Sequence, residues 1–186
     1  MAQHTLSVLV ENSPGVLARV ASLFSRRGYN IDSLAVGPTE NPEISRMTIV
    51  LNLEGHALDQ VSAQLFKLVN VIGIQEMTDN NSRQRELLLV KVATSSANTA
   101  EIKAIAAKFK AEIVEAGPSS TIIQLVGATS EVTGLVAALS KFGVKELVQS
   151  GVIAMELGDV TLADRTAVET GLVSSDSHAQ TADYQN

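Results

Sequence analysis

The strongest constraint on this chain is a repeated rhythm of apolar residues: one order of segments, βαββαβ, is written twice along it. In the first pass, residues 4–10 alternate like a short strand, and residues 14–27 carry Val16, Leu17, Val20, Leu23 and Phe24 at helical spacing. Residues 31–36 and 44–53 read as two strands around the Gly37-Pro38 turn and a polar loop. A second helix over 57–70 sets Val61, Leu65, Leu68 and Val69 on one stripe, and 71–77 closes the unit as a strand. The second pass predicts a strand over 86–93, a helix over 97–109 with Ile102, Ile105, Ala106 and Phe109 on one face, and a strand over 112–116. A turn at Gly117-Pro118, a strand over 121–126, a helix over 131–141 and a strand over 145–156 complete it.

This pattern implies an α+β fold of two tandem ferredoxin-like units, each with two helices on one face of a four-stranded antiparallel sheet. The expected layout is a first domain over 4–78, a linker over 79–85, a second domain over 86–157 and a tail over 158–186. The tail is rich in Thr, Ser, Asp, Ala and Gln, so it reads as flexible, with a short helix around 163–169 as the exception. A unit of about 75 residues buries little surface by itself, so the open sheet face needs cover or a partner, which oligomerisation would supply.

Composition narrows the function. A formal charge of −6 and a pI near 5.0 lack the basic footprint of nucleic-acid or anionic-membrane binding, so neither partner is expected. RNA-recognition domains share the βαββαβ order but stack bases on aromatic residues of central strands; residues 6–10 and 47–51 carry none. The absence of Cys excludes disulfides and thiol chemistry and fits a reducing compartment. With no room expected for a leader before the first strand and no apolar run long enough for a bilayer, a cytoplasmic chain is expected.

Catalytic patterns are missing. His4, His56 and His178 lack metal-ligand spacing, the serines lack a nucleophile elbow, and Glu11 and Glu54 could act as acids or bases only if buried and perturbed. Arg26, Arg27 and Arg46 could grip phosphates, yet no Gly-rich phosphate loop accompanies them, and they read as solvated charges, as do Lys103, Lys108 and Lys110.

The start of the first helix is more informative. Ser13 suits an N-cap and Pro14 the first helical position, which leaves the N–H groups of Gly15, Val16 and Leu17 as donors at the positive end of the helix dipole. With Asn12 beside them they form a candidate site for a small carboxylate, although the same residues also serve as an ordinary helix cap. Gly28 suits the left-handed residue that stops the helix, and Asn30 then precedes the second strand, an edge strand in this fold. Two copies joined edge to edge would bring Asn30 and Ile31 of one towards Asn12–Leu17 of the other; alone, Asn30 is an ordinary turn amide.

Several stretches are specific beyond this. Leu6-Ser-Val-Leu-Val-Glu-Asn-Ser-Pro-Gly15, Leu23-Phe-Ser-Arg-Arg-Gly-Tyr-Asn-Ile-Asp-Ser-Leu34, Ser45-Arg-Met-Thr-Ile49, Gln64-Leu-Phe-Lys-Leu-Val-Asn-Val71 and Arg85-Glu-Leu-Leu-Leu-Val-Lys91 resemble the regulatory, or small, subunits of acetolactate synthase, also called acetohydroxyacid synthase. The resemblance covers nearly all of residues 4–157. It implies an N-terminal ACT domain, a C-terminal ferredoxin-like domain and no catalytic site in this chain. Members bind and activate a catalytic large subunit and make it sensitive to valine or another branched-chain amino acid, in valine, leucine and isoleucine biosynthesis. Thiamine diphosphate, Mg²⁺ and FAD are expected on the large subunit, and none in this chain. Carried over by position, Asn12, Gly15, Val16 and Leu17 hold the effector, and Asn30 and Ile31 of the other ACT domain of a homodimer complete its pocket. Pro14 stands where many relatives carry another small or polar residue, and the tail after Glu156 is longer than in many. A free-standing ACT amino-acid sensor and a small ferredoxin-like enzyme are the alternatives.

Overall fold

The structure is a computed structural model that describes residues 2–54 and 57–169. Its elements run β1 (Ala2–Glu11), α1 (Val16–Arg26), β2 (Ile31–Pro38), β3 (Ile44–Leu53), α2 (Ala57–Leu65) and β4 (Val71–Met77). The second series is β5 (Ser82–Ala93), α3 (Thr99–Lys108), β6 (Glu112–Ala116), β7 (Ser120–Gly127), α4 (Thr129–Leu139), β8 (Val144–Gln149), β9 (Ile153–Glu156) and α5 (Leu162–Glu169). The βαββαβ order therefore occurs twice, as two α+β units with antiparallel sheets. Contacts divide the described residues into one compact unit that takes in β1, α1, β3, α2, β4, the ends of β2 and the segment from Met155 to Glu169, and a second of Ser33–Ala35 and Arg83–Ala154.

The first sheet has the order β2-β3-β1-β4, so β2 is an edge strand, as the fold requires. Its central strand β1 pairs with β3 from Ala2↔Leu53 to Glu11↔Ile44. From Thr5 to Val10 every residue of β1 is buried, and only a strand covered on both faces can be so. On one side α1 contributes Val16, Val20 and Phe24, a stripe at i, i+4 and i+8, and α2 contributes Val61 and Leu65. Leu17 was expected on that stripe, yet it is 43% exposed, because a step of one residue turns it about 100° from Val16. On the other side the segment from Met155 returns to this unit. Leu162 of α5 is buried, and Thr166 packs against Gly73 of β4, where a Cβ would stand 2.2 Å from its hydroxyl oxygen. Thus the short helix expected around 163–169 is present as α5, and Leu162 and Thr166 pack it on this unit; residues 170–186, with the rest of the tail expectation, lie outside the described residues.

The second sheet has the order β6-β7-β5-β8, with β9 also pairing β5. Leu88, Val90 and Val92 of β5 meet Ile102 and Ala106 of α3 and Val132, Leu135 and Leu139 of α4 in one core. The opposite face differs from that of the first sheet: Leu87 pairs with Val126 and Leu89 with Val148, and Val126 and Val148 are exposed. Several boundaries differ from expectation, among them the helix over 57–70, which ends at Leu65 and leaves Val69 of its expected stripe exposed. The strand at 86 begins earlier, at Ser82, and the single strand over 145–156 is two, β8 and β9, interrupted at Ser150–Val152, where Gly151 takes φ 78°.

Glu86 is buried in β5, and burial pushes its carboxyl above the ordinary 4.5. A raised folded-state value means that the charged carboxylate costs stability at neutral pH, a cost that fades as pH falls through that value. Glu86→Gln is therefore expected to raise the urea midpoint relative to the parent at pH 7, and the gap is expected to close as pH approaches 4.5.

Candidate ligand-binding site

The loop after β1 begins with paired backbone. The N–H of Asn12 donates to the carbonyl of Glu43 at 2.7 Å and its side-chain Nδ2 to the carbonyl of Pro42 at 2.8 Å. The amide oxygen of Asn12 accepts no hydrogen bond among the described residues. Ser13 N–H then turns back to the Glu11 carbonyl at 3.0 Å, which closes a tight turn ahead of the helix.

The helix starts two residues later than expected. Ser13 is not the N-cap and Pro14 is not the first helical residue; Gly15 is the N-cap, at φ 86° and ψ −7°, and no side chain caps the helix. The reason lies in the turn. The chain must reverse between Glu11 and Val16, and the reversal needs a left-handed residue, which Gly supplies without a Cβ penalty. Of the three expected donors, Val16 N–H has an acceptor, the Ser13 carbonyl, at 3.4 Å. Those of Gly15 and Leu17 have none among the described residues. The N-terminus of α1 thus offers unsatisfied donors in the positive end of a helix dipole, with no acidic residue in its first turn to compete for them. An added Cβ at Gly15 would meet nothing within 4 Å, so the approach is open. Leu17, half-exposed beside it, adds an apolar surface.

At the far end of α1 the N–H of Gly28 bonds the Ser25 carbonyl and that of Tyr29 the Phe24 carbonyl, both at 3.1 Å, with Gly28 at φ 69°. This six-to-one closure is the expected glycine stop. Asn30 is exposed and its Nδ2 donates to Asp32 Oδ1 at 2.7 Å; Asn52 Nδ2 bonds the other Asp32 oxygen. Ile31 opens β2 at the sheet edge. The structure therefore brings Asn12, Gly15, Val16 and Leu17 together, and sets Asn30 and Ile31 beyond the other end of the helix. Eleven residues at 1.5 Å each make α1 about 16 Å long, too far for both groups of one chain to hold one small molecule.

Sequence reasoning missed Asn70. This buried residue follows α2 and holds the exit of β1: its carbonyl takes the Glu11 N–H at 2.9 Å, its Nδ2 bonds Glu11 Oε2, and its Oδ1 receives Arg19 Nη1 from α1. One amide thus ties both sides of the 12–15 turn. Only the long-range fold places it there, although it lies within the Gln64–Val71 motif. Asn70→Ala is expected to lower stability by about 1–2 kcal/mol in urea unfolding and to speed amide hydrogen exchange at Gly15 and Leu17.

The remaining candidates separate. His4 Nδ1 is 2.7 Å from Glu76 Oε1, whereas His56 and His178 lie outside the described residues. Among the described residues there is no cluster of three His, Cys, Asp or Glu that could hold a metal, and no helix long and apolar enough to cross a membrane. Arg26 and Arg27 are exposed at the end of α1, as expected for solvated charges. Arg46 is different: its Nε is removed from solvent with no hydrogen-bond partner.

Comparison with known proteins gives the setting for this geometry. Residues 6–73 match the model of the acetohydroxyacid synthase small-subunit-like ACT domain, and residues 85–158 match that of the small subunit of acetolactate synthase. The chain is 48% identical over 155 residues to the acetolactate synthase small subunit of Mycobacterium leprae, a match that spans 83% of this chain and 92% of that one. It is 43% identical over 157 residues to a probable acetolactate synthase small subunit of Archaeoglobus fulgidus, spanning 84% and 98%. Among solved structures it is similar to the acetolactate synthase small subunit of Thermotoga maritima, with a TM-score of 0.78 and 33% identity over 86% of this chain and all of that one.

Proposed function

The chain belongs to the acetolactate synthase small-subunit family, and on that ground we propose that it is the non-catalytic partner that activates a catalytic large subunit and confers feedback inhibition by valine or another branched-chain amino acid. Membership and the ACT domain support the coarser statement, a regulatory-subunit role. In this reading thiamine diphosphate, Mg²⁺ and FAD reside on the large subunit, which condenses pyruvate with a second 2-oxo acid.

The observation that carries the effector reading is the separation along α1. Free N–H groups of Gly15 and Leu17 suit the carboxylate of an amino acid, the amide oxygen of Asn12 suits its ammonium, and the exposed face of Leu17 suits an aliphatic side chain. Asn30 and Ile31 serve a pocket built on those groups only if they come from another copy. As the edge strand of its sheet, β2 gives that copy a place to join, since an edge strand presents a row of backbone donors and acceptors. A homodimer through the ACT domains then holds two such pockets.

Regulation follows from linkage. An effector that bridges two protomers binds one arrangement of the dimer more tightly than another, and it shifts the large subunit only by that difference. Couplings of this kind are typically about 1–3 kcal/mol, or roughly 5–150-fold in affinity.

Reconstitution tests the assignment. Added to a purified large subunit, the chain is expected to raise acetolactate formation, and one of valine, leucine or isoleucine to reverse the gain; no change on mixing would refute the role. Gly15→Asp sets a carboxylate where the effector's carboxylate would lie, at a left-handed position that Asp tolerates better than most residues. It is expected to keep activation and to raise the inhibitory concentration of the effector at least tenfold, and unchanged sensitivity would refute the pocket.

A further inference from the structure

Of the three arginines expected as solvated charges, Arg26 and Arg27 are exposed and Arg46 is not, and its surroundings explain why. In the register of β1 and β3 it lies opposite Leu9, on the sheet face that the returning C-terminal segment covers. Leu9, Met77, Met155 and Leu162 wall a cavity of about 190 Å³ there, with Arg46 and Glu156 among its lining residues. At about 30 Å³ per water this is the volume of roughly six waters, the size of a small amino acid.

Its polar groups are incompletely used. Arg46 Nε is buried without an acceptor among the described residues. Glu156 Oε1 accepts from Arg165 Nη2 at 2.5 Å, which leaves its other oxygen, Oε2, buried and unpartnered. Among the described residues, three of the four buried side-chain atoms without partners belong to Arg46, Glu156 and Arg165, the fourth being the hydroxyl of Ser7. Native proteins keep such groups paired, so a cluster of them at a cavity marks a missing partner.

The orphans are of both kinds, a cationic donor and an anionic acceptor, in walls that also hold Glu40, Thr39 and Thr161 and are otherwise aliphatic. A plain anion would serve Arg46 and leave Glu156 as it is. An α-amino acid complements both, and Leu9, Met77 and Leu162 suit a branched or linear aliphatic side chain. We propose that this cavity is a second ligand site, separate from the end of α1, that takes an aliphatic α-amino acid with its carboxylate on Arg46 and its ammonium on Glu156. The site lies within one chain and forms only when the segment from Met155 to α5 is docked, so occupancy stabilises that docking.

Calorimetric titration of the full chain with L-valine tests this, with 3-methyl-2-oxobutanoate as a second probe that keeps the carboxylate and isopropyl group and lacks the ammonium. In the Gly15→Asp chain, where the other pocket is blocked, L-valine is expected to bind saturably and the oxo acid at least tenfold more weakly. Adding Arg46→Gln is expected to weaken valine at least tenfold. Ala163→Phe fills the cavity from α5 without removing either charge, so the same loss is expected, and it decides the matter if Arg46→Gln fails to fold by circular dichroism. Absence of valine binding in the Gly15→Asp chain, a solvent-filled cavity only, overturns the proposal; so does equal binding of the oxo acid, or a Gly15→Asp titration that neither added change alters. Valine sensitivity of the reconstituted enzyme with Arg46→Gln alone reports separately on the pocket at α1.

Discussion

The burial of β1 on both faces sets the terms for the rest of the first unit. A central strand hydrogen-bonded to β3 and β4 has no free edge, and with Thr5 to Val10 all buried it has no free face. Each face therefore needs an apolar cover. The stripe of Val16, Val20 and Phe24 fixes the rotation of α1, and so decides that Leu17 points away from the core and beside the N-terminal turn. On the opposite face a sheet with only two helices would be wet. Here Leu162 and Thr166 close it, with Gly73 leaving the room that Thr166 needs.

The same strand places the candidate pocket. Where β1 leaves the sheet at Glu11, its amide is still held by Asn70, and the chain must reverse into α1 within four residues. The left-handed Gly15 makes that reversal possible, and the price is a helix that starts without a side-chain cap. Its open N–H groups are a structural deficit in the isolated chain and an asset to any carboxylate that arrives. Arg19 and Glu11, joined through one Asn70 side chain, keep the turn from relaxing into a capped conformation.

Much of this was legible in order and much less in detail. The strands over 44–53, 71–77 and 112–116 fall where alternation and turn residues put them, because those signals are local. The helix start was misjudged because Ser13 and Pro14 are good capping residues, while the competing bonds to Glu11 and Val16 belong to a turn whose geometry depends on where β1 ends. The strand over 145–156 looked continuous because its apolar pattern runs on past Gly151. For the candidate site, Asn12, Gly15 and Leu17 were visible as a polar helix start, whereas the role of Asn70 was not.

By itself the sequence determined the double βαββαβ order, the donors at the start of α1, the glycine that stops it and the family, because each rests on residues close in the chain or on motifs read in line. Only the tertiary structure decided that α5 covers the first sheet, that Asn70 locks the turn and that Arg46 faces a cavity with Glu156. Those results join residues such as Glu11 with Asn70 and Gly73 with Thr166, far apart in sequence, and local pattern carries no information about which distant side chain supplies the partner.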